Sequence, residues 1–191
     1  MDQVWARDAI RRISGIFAEF AAGEGIERLD AASVLVSEAL KRGATVFWCG
    51  NGGSAGDAQH LAAELVGRFG QPGRGYPSMA LTTDSSMLTA ISNDFGFEHV
   101  FARQVEALAK PGDVVVGIST SGRSPNVVGA LAAARGLGAH AIALTGPGAS
   151  ALGDAAEIAI RAPGNRPTEI QTCHIAIGQL MLERAIALAE A

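Results

Sequence analysis

The sequence has little of several features that define other classes of protein. It contains only two cysteines, Cys49 and Cys173, which lie in apolar segments and do not form a CxxC pair. Neither a disulfide framework nor a cysteine metal cluster is therefore expected, and the reducing cytoplasm is the predicted compartment. No apolar run approaches the ~18 residues of a membrane span, so no membrane association is expected.

Charge is also scarce. Charged residues make up 18% of the 191 residues, the formal net charge is −4, and long runs of one sign are missing. Proteins that hold nucleic acid neutralise phosphates with basic patches, so a nucleic-acid partner is not expected. Hydrophobic residues reach 48%, which excludes intrinsic disorder and indicates a single domain over residues 1–191 with a sizeable core.

Helical and strand-like segments alternate along the chain. Two helices, over 2–22 and 26–42, are expected first, so that residues 1–43 precede an α/β core of residues 44–191. Short apolar runs then alternate with segments long enough for crossover helices, which predicts a three-layer, doubly wound α/β fold with a five-stranded parallel sheet. The predicted strands are 44–49, 78–81, 113–118, 140–144 and 157–160.

The final segment, 168–191, is apolar on more than one side, which predicts a long helix with partners all round. Together with the two N-terminal helices, this pattern favours a helical oligomer interface. A helix buried within a single subunit would have the same pattern.

Two loops are rich in glycine and hydroxyl groups. They are 50–54, which reads GNGGS, and 119–124, which reads STSGRS. In a flavodoxin-like sheet of order 2-1-3-4-5, ligands bind where the order reverses, between strands one and three, and these loops follow those two strands. Backbone N–H groups and hydroxyls at a helix start suit an anion, so a phosphate ester is the predicted ligand. Tight turns alone would have the same composition, but two such loops at one place favour binding.

Polar residues on two helices are further candidates. His60 and Glu64 lie four residues apart on one helix face, together with Asp57, and could chelate a divalent cation. Pairs with this spacing are more often solvated surface groups. His174 on the final helix is either a satisfied core group or a ligand, and the pattern leaves both open.

Asn93 and Asp94 lie between two helical stretches. They could cap a helix or bind sugar hydroxyls, and capping is the commoner role of such residues.

Five segments, taken in chain order, carry a resemblance to a known family. They are GNGGSAGDAQHLAAEL, LTTDSSMLTAISNDFGFEHVFARQVEAL, GDVVVGISTSGRSPNVV, ALTG and EIQTCHI. They resemble the sugar isomerase (SIS) domain family and, within it, the phosphoheptose isomerase family. The resemblance covers nearly the whole chain.

The resemblance implies an aldose–ketose isomerase that converts D-sedoheptulose 7-phosphate into D-glycero-D-manno-heptose 7-phosphate in bacterial heptose biosynthesis. It also implies a homotetramer with active sites at subunit interfaces and one zinc ion per subunit. The positions that match the family's substrate contacts are Asn51, Gly52, Gly53, Ser54, Glu64, Asn93, Asp94, Ser119, Thr120, Ser121, Ser124 and Gln171. The positions that match its zinc ligands are His60, Glu64, Gln171 and Gln179, and its catalytic positions match Glu64, as the base, and Gln179.

Gln179 departs from the family pattern, which has a histidine at that position as fourth zinc ligand and candidate acid. Glutamine cannot titrate, and its amide oxygen is a weaker zinc ligand than imidazole. Metal binding is then weakened, or the site has lost its activity. The second possibility predicts a non-catalytic SIS tetramer, acting as a sugar-phosphate sensor or as a scaffold of the kind that binds the replication initiator. An isomerase for another sugar phosphate is a third possibility.

Overall fold

Five strands form one parallel sheet between two layers of helices. The structure, a computed structural model, describes residues 3–67 and 74–191. The strands are β1 Val46–Gly50, β2 Ser78–Ala80, β3 Val114–Ser119, β4 His140–Thr145 and β5 Ile158–Arg161. Their order is β2-β1-β3-β4-β5, and every neighbouring pair is parallel, so the predicted fold class and strand order are confirmed.

The helices connect the strands and extend the chain at both ends. In the described ranges they are α1 Gln3–Ala22, α2 Gly25–Lys41, α3 Gly53–Gly67, α4 Ser85–Phe95, α5 Ala102–Leu108, α6 Pro125–Gly136, α7 Ala151–Ala155 and α8 Pro167–Glu190. The predicted helices at 2–22 and 26–42 are confirmed to within one residue, and Asp2 lies outside the described residues. None of the helices in the described ranges is long and apolar enough to cross a membrane.

The sheet separates two hydrophobic cores because successive side chains of a strand point to opposite faces. On β1, Val46 and Trp48 belong to the core beneath α2, α3 and α8, whereas Phe47 and Cys49 belong to the core beneath α5 and α6. Every residue of β1 and β3 is buried, as expected for central strands of a sheet that is covered on both sides.

The long helix α8 lies against α2 and α3, with most of its length buried. A Cβ atom on Gly178 would lie 2.5 Å from Leu61 Cδ1, so α8 and α3 approach this closely only because residue 178 is glycine. The sequence predicts that this helix is apolar on several sides. Much of that apolar surface is buried against α2 and α3 of the same chain. Its polar residues are thereby brought next to those of α3.

Candidate active site

Two loops meet at the edge of the sheet where the strand order reverses. β1 ends at Gly50 and α3 begins at Gly53, while β3 ends at Ser119 and α6 begins at Pro125. Because β1 and β3 are neighbouring parallel strands, both loops leave the same edge of the sheet. The structure therefore brings the two predicted ligand loops side by side.

An amide pair joins these loops. Asn51 Nδ2 donates to Asn126 Oδ1, and Asn126 Nδ2 donates back to Asn51 Oδ1, both at 2.9 Å. Asn126 is 2% exposed, and its Oδ1 also accepts from the Val127 N–H at 3.0 Å. The side chain of Asn51 thus holds the first loop to the start of α6. Sequence reasoning missed Asn126, although a polar residue among apolar ones directly after Pro125 was an available signal.

The second loop is a cluster of hydroxyl groups. Ser119 Oγ lies 3.0 Å from Ser124 Oγ and 3.4 Å from Ser121 Oγ. Ser119 is buried, Thr120 and Ser124 are half-buried, and Ser121 is exposed, so the hydroxyls extend from the sheet edge to the surface. Pro125, the first residue of α6, has no N–H, and the Val127 and Val128 N–H groups already donate to the Ser124 carbonyl oxygen, so the hydroxyls are the main donors at this place. Short donors in this arrangement suit the oxygens of a phosphate ester.

The first turn of α3 lies directly against a side chain of α8. A Cβ atom on Gly53 would overlap the amide of Gln171, so only glycine leaves room for that amide. The side chain of Gln171 also lies close enough to Asp57 to lower the pKa of that carboxyl. The predicted substrate residues Gly52 and Ser54 flank this contact, with Ser54 buried and Gly52 exposed. The structure therefore places Gln171 at the glycine loop.

One face of α3 carries three titratable side chains, Asp57, His60 and Glu64, at helical spacing. Burial raises the pKa of Asp57, while its hydrogen bond with Gln171 and the charge of His60 oppose that rise. Asp57 Oδ2 and Glu64 Oε2 are buried and have no hydrogen-bond partner among the residues described. Buried oxygens without partners destabilise a fold, so this face is a candidate for ligand binding or proton transfer. The sequence pattern places Asp57 here but assigns it no role.

Gln179 reaches from α8 to this face of α3. Its Nε2 lies 2.9 Å from Glu64 Oε1 and 3.2 Å from His60 Nε2. His60 Nε2 lies 2.9 Å from the same carboxylate oxygen. The side chain of Glu64 is 16% exposed and that of His60 is 55% exposed. Three of the four predicted zinc positions, His60, Glu64 and Gln179, therefore come together. The fourth, Gln171, is on α8 and lies beside Asp57 of α3.

The donor atoms of this group do not match those of an ordinary zinc site. The three atoms are 2.9 to 3.2 Å apart, close to the separation of about 3.3 Å that zinc–ligand distances impose on tetrahedral ligands. However, the Gln179 corner is an amide nitrogen, which donates hydrogens and has no free electron pair for a metal. Across residues 3–67 and 74–191, no group of three or more His, Cys, Asp or Glu could hold a metal ion. As arranged, these residues do not fit a resident zinc ion.

Asn93 and Asp94 lie in the last turn of α4, so the expectation that they lie between two helices is wrong. The helix is capped instead by Asp84, whose side chain accepts from the Met87 N–H at 2.9 Å. Asn93 Nδ2 donates to Asp94 Oδ1 at 2.8 Å, and no residue of α4 is buried. Within the described part of the chain, no hydrogen bond links this pair to the two loops.

His174 is a core group rather than a member of this cluster. It is fully buried, and its Nε2 donates to the Thr145 carbonyl oxygen at 3.0 Å. Burial lowers the pKa of His174 to about 4, against the opposing effect of the Thr145 hydrogen bond. The ring is therefore neutral at pH 7 and ties α8 to the end of β4.

Comparison with known proteins identifies relatives over nearly the full length. The family model described as SIS domain matches residues 10–146. The phosphoheptose isomerase of Solidesulfovibrio magneticus is 49% identical over 182 residues, 92% of this chain and 89% of the relative. The phosphoheptose isomerase of Rhodospirillum rubrum is 48% identical over 159 residues, 83% of this chain and 85% of the relative.

Solved structures agree with these matches. The phosphoheptose isomerase of Neisseria gonorrhoeae superposes with a TM-score of 0.88 at 37% identity, covering 99% of both chains. That of Francisella tularensis superposes with a TM-score of 0.87 at 30% identity, covering 97% of this chain and 98% of the other. The chain belongs to the SIS domain family and, within it, to the phosphoheptose isomerases.

Proposed function

We propose that the protein interconverts D-sedoheptulose 7-phosphate and D-glycero-D-manno-heptose 7-phosphate, as an aldose–ketose isomerase of bacterial heptose biosynthesis. The observation that carries this proposal is 49% identity, over 92% of the chain, to a relative named phosphoheptose isomerase. The residues of the site support the same chemistry. A non-catalytic sensor or scaffold, which Gln179 raised as an alternative, is not favoured by relatives with this name.

The hydroxyl cluster of loop 119–124 binds the phosphate group of the substrate. Ser119, Thr120, Ser121 and Ser124 supply the hydroxyls that donate to the phosphate oxygens. The Asn51–Asn126 amide pair keeps the glycine loop at a fixed position beside this cluster. The sugar chain then extends over Gly52, where no atom lies within 4 Å of the place a Cβ would occupy, and toward Gln171, whose amide fills the space beside Gly53.

Glu64 acts as the base of the isomerisation. The reaction removes a proton from the carbon beside the carbonyl and forms an enediol as the carbonyl oxygen gains a proton. The carbon proton is then returned to the former carbonyl carbon, while the neighbouring hydroxyl loses its proton and becomes the new carbonyl. Oε1 of Glu64 is engaged by His60 and Gln179, whereas Oε2 is buried without a partner among the described residues. Oε2 is therefore the oxygen available to take the proton. Gln179 cannot supply a proton, so its part in catalysis is to orient Glu64 by hydrogen bonding.

A homotetramer in the cytoplasm remains part of the proposal. Trp5, Ile10 and Leu180 are 75%, 64% and 51% exposed, and such apolar surface supports association of copies. Neighbouring copies would also cover α4 and bring Asn93 and Asp94 to a site. The predicted zinc ion, one per subunit, stays a prediction for metal analysis to test, and no step above depends on it.

The experiment is an assay of purified protein with sedoheptulose 7-phosphate, with and without added zinc, that follows formation of heptose 7-phosphate. Turnover supports the proposal, and the two zinc conditions measure any contribution of the metal. Binding of the sugar phosphate without turnover in either condition would contradict the proposal and favour the sensor. Turnover of another sugar phosphate alone would retain the isomerase but change its substrate.

A further inference from the structure

The contact between Gln179, His60 and Glu64 gives residue 179 a different role in metal binding from that of the histidine in the family pattern. We infer that Gln179 competes with a divalent cation for the His60–Glu64 pair instead of coordinating the cation. The inference rests on the proposed function, because it concerns the same site. It goes further in assigning this chain's glutamine a blocking role at the position of a ligand.

The chemistry of Glu64 determines how the Gln179 amide is oriented. An ionised carboxylate only accepts hydrogen bonds, so the Gln179 atom 2.9 Å from Glu64 Oε1 must be the amide nitrogen. Half a turn of the amide would instead place its oxygen against the carboxylate oxygen, and the two would repel each other. The charged acceptor also makes this hydrogen bond stronger than a neutral one. The amide is therefore held with its hydrogens toward the position that a cation would occupy.

A cation at this position has to displace the amide. It would need the lone pair of Glu64 Oε1 that faces the Gln179 amide at 2.9 Å, together with His60 Nε2 in the tautomer that carries no hydrogen there. The cation and an amide hydrogen cannot both occupy the same lone pair of Glu64 Oε1, so the amide has to move away before the cation binds there. The Gly178 contact with Leu61 holds the backbone of α8 against α3, so the exchange involves the Gln179 side chain and not the helix.

Two opposite expectations follow for removal of the Gln179 side chain. If Gln179 were a ligand, Gln179→Ala would weaken binding of the cation. If Gln179 blocks the site, Gln179→Ala leaves His60 and Glu64 in place, removes the competitor, and binds the cation more tightly than the wild type. Histidine at 179 offers a nitrogen lone pair to the cation, so Gln179→His should bind it at least tenfold more tightly than the wild type.

Zinc affinity of the full chain, measured by competition with a fluorescent chelator, tests this inference. The variants are Gln179→Ala, Gln179→Leu and Gln179→His, with circular dichroism as the check that each is folded. Leucine approximates the volume of glutamine but has no donor or acceptor, so it should match alanine in zinc affinity. Gln59→Ala is the matched control, because Gln59 also lies at this surface but donates to Thr82 Oγ1 at 3.2 Å. It should leave zinc affinity unchanged.

Several-fold weaker zinc binding by both Gln179→Ala and Gln179→Leu would overturn the inference, because it would make Gln179 a ligand. Unchanged affinity in both variants would also overturn it, because Gln179 would then not compete with the ion. Unchanged affinity in Gln179→His would overturn it as well, since residue 179 would then lie outside the site. Adding His60→Ala to Gln179→His should abolish the increase in zinc affinity that Gln179→His is expected to show. If the increase is retained, the ion binds elsewhere and the inference is refuted. None of these readouts needs turnover, so failure of the isomerase assay leaves the order of zinc affinities interpretable.

Discussion

The amide pair between Asn51 and Asn126 predicts that stabilities of variants at these two positions are not additive. Asn126→Ala removes both 2.9 Å hydrogen bonds of the pair and one of the two acceptors of the Val127 N–H, which keeps the Ser124 carbonyl oxygen. A lost hydrogen bond costs about 0.5–1.5 kcal/mol, and a stranded buried polar group costs about 1–3 kcal/mol. We therefore expect Asn126→Ala to lower the free energy of unfolding by about 3 kcal/mol.

Asn51→Ala should be similarly harmful, because it strands the amide of Asn126, which is 2% exposed. The double variant has no stranded amide, so its effect should be smaller than the sum of the single effects by at least about 1 kcal/mol. Asn93→Ala is the control. Its side chain is exposed and bonds only an exposed neighbour, so a change within about 0.5 kcal/mol is expected.

The assay is urea unfolding followed by circular dichroism at one fixed subunit concentration, because association of copies would otherwise change the apparent stability. Single effects that add to within about 0.5 kcal/mol would show that the two amides act independently. The coupling between the loops inferred from the pair would then be refuted.

Three further outcomes are expected. Glu64→Gln should abolish turnover of sedoheptulose 7-phosphate with unchanged helix content, and near-normal turnover would eliminate Glu64 as the base. Ser121→Ala should weaken binding of the phosphate ester about fivefold, the equivalent of one hydrogen bond, and an unaltered dissociation constant in calorimetry would exclude that hydroxyl. His174, with its pKa lowered to about 4, binds fewer protons folded than unfolded, so stability should fall as pH decreases from 6.5 to 4, by on the order of 3 kcal/mol. In urea titrations across this range, His174→Gln should show a shallower fall, and an equal fall would assign the effect to other groups.

The strands and their order were predictable because five short apolar runs are separated by segments long enough for crossover helices, and the central strands β1 and β3 are buried on both faces of the sheet. The exact residues at which the strands begin and end were less predictable. The predicted strand 44–49 includes Thr45, but its N–H donates to Asp113 Oδ1 at 2.8 Å, outside the strand ladder. Asp113 Oδ2 also accepts from the Lys110 N–H at 2.8 Å, which ends the turn before β3. Hydrophobicity patterns do not register such bonds between side chain and backbone.

The two loops of the site were predictable from their small residues and their place in the strand order. The contacts between segments that are distant in the sequence were not predictable. Gln171 against Gly53 and Gln179 against Glu64 both depend on how closely α8 approaches α3, and no local pattern encodes that distance. The same limit applies to Asn126, whose partner lies 75 residues away.

The close approach at Gly178 has a consequence for how such a site can evolve. Because Gly178, and not residue 179, packs on Leu61, the spacing of the two helices does not depend on the side chain next along the chain. Glutamine and histidine codons differ only in their third base, so a single nucleotide change at position 179 exchanges an amide for an imidazole. A lineage can thus exchange a side chain that donates to Glu64 for one that offers a nitrogen lone pair while the scaffold stays the same.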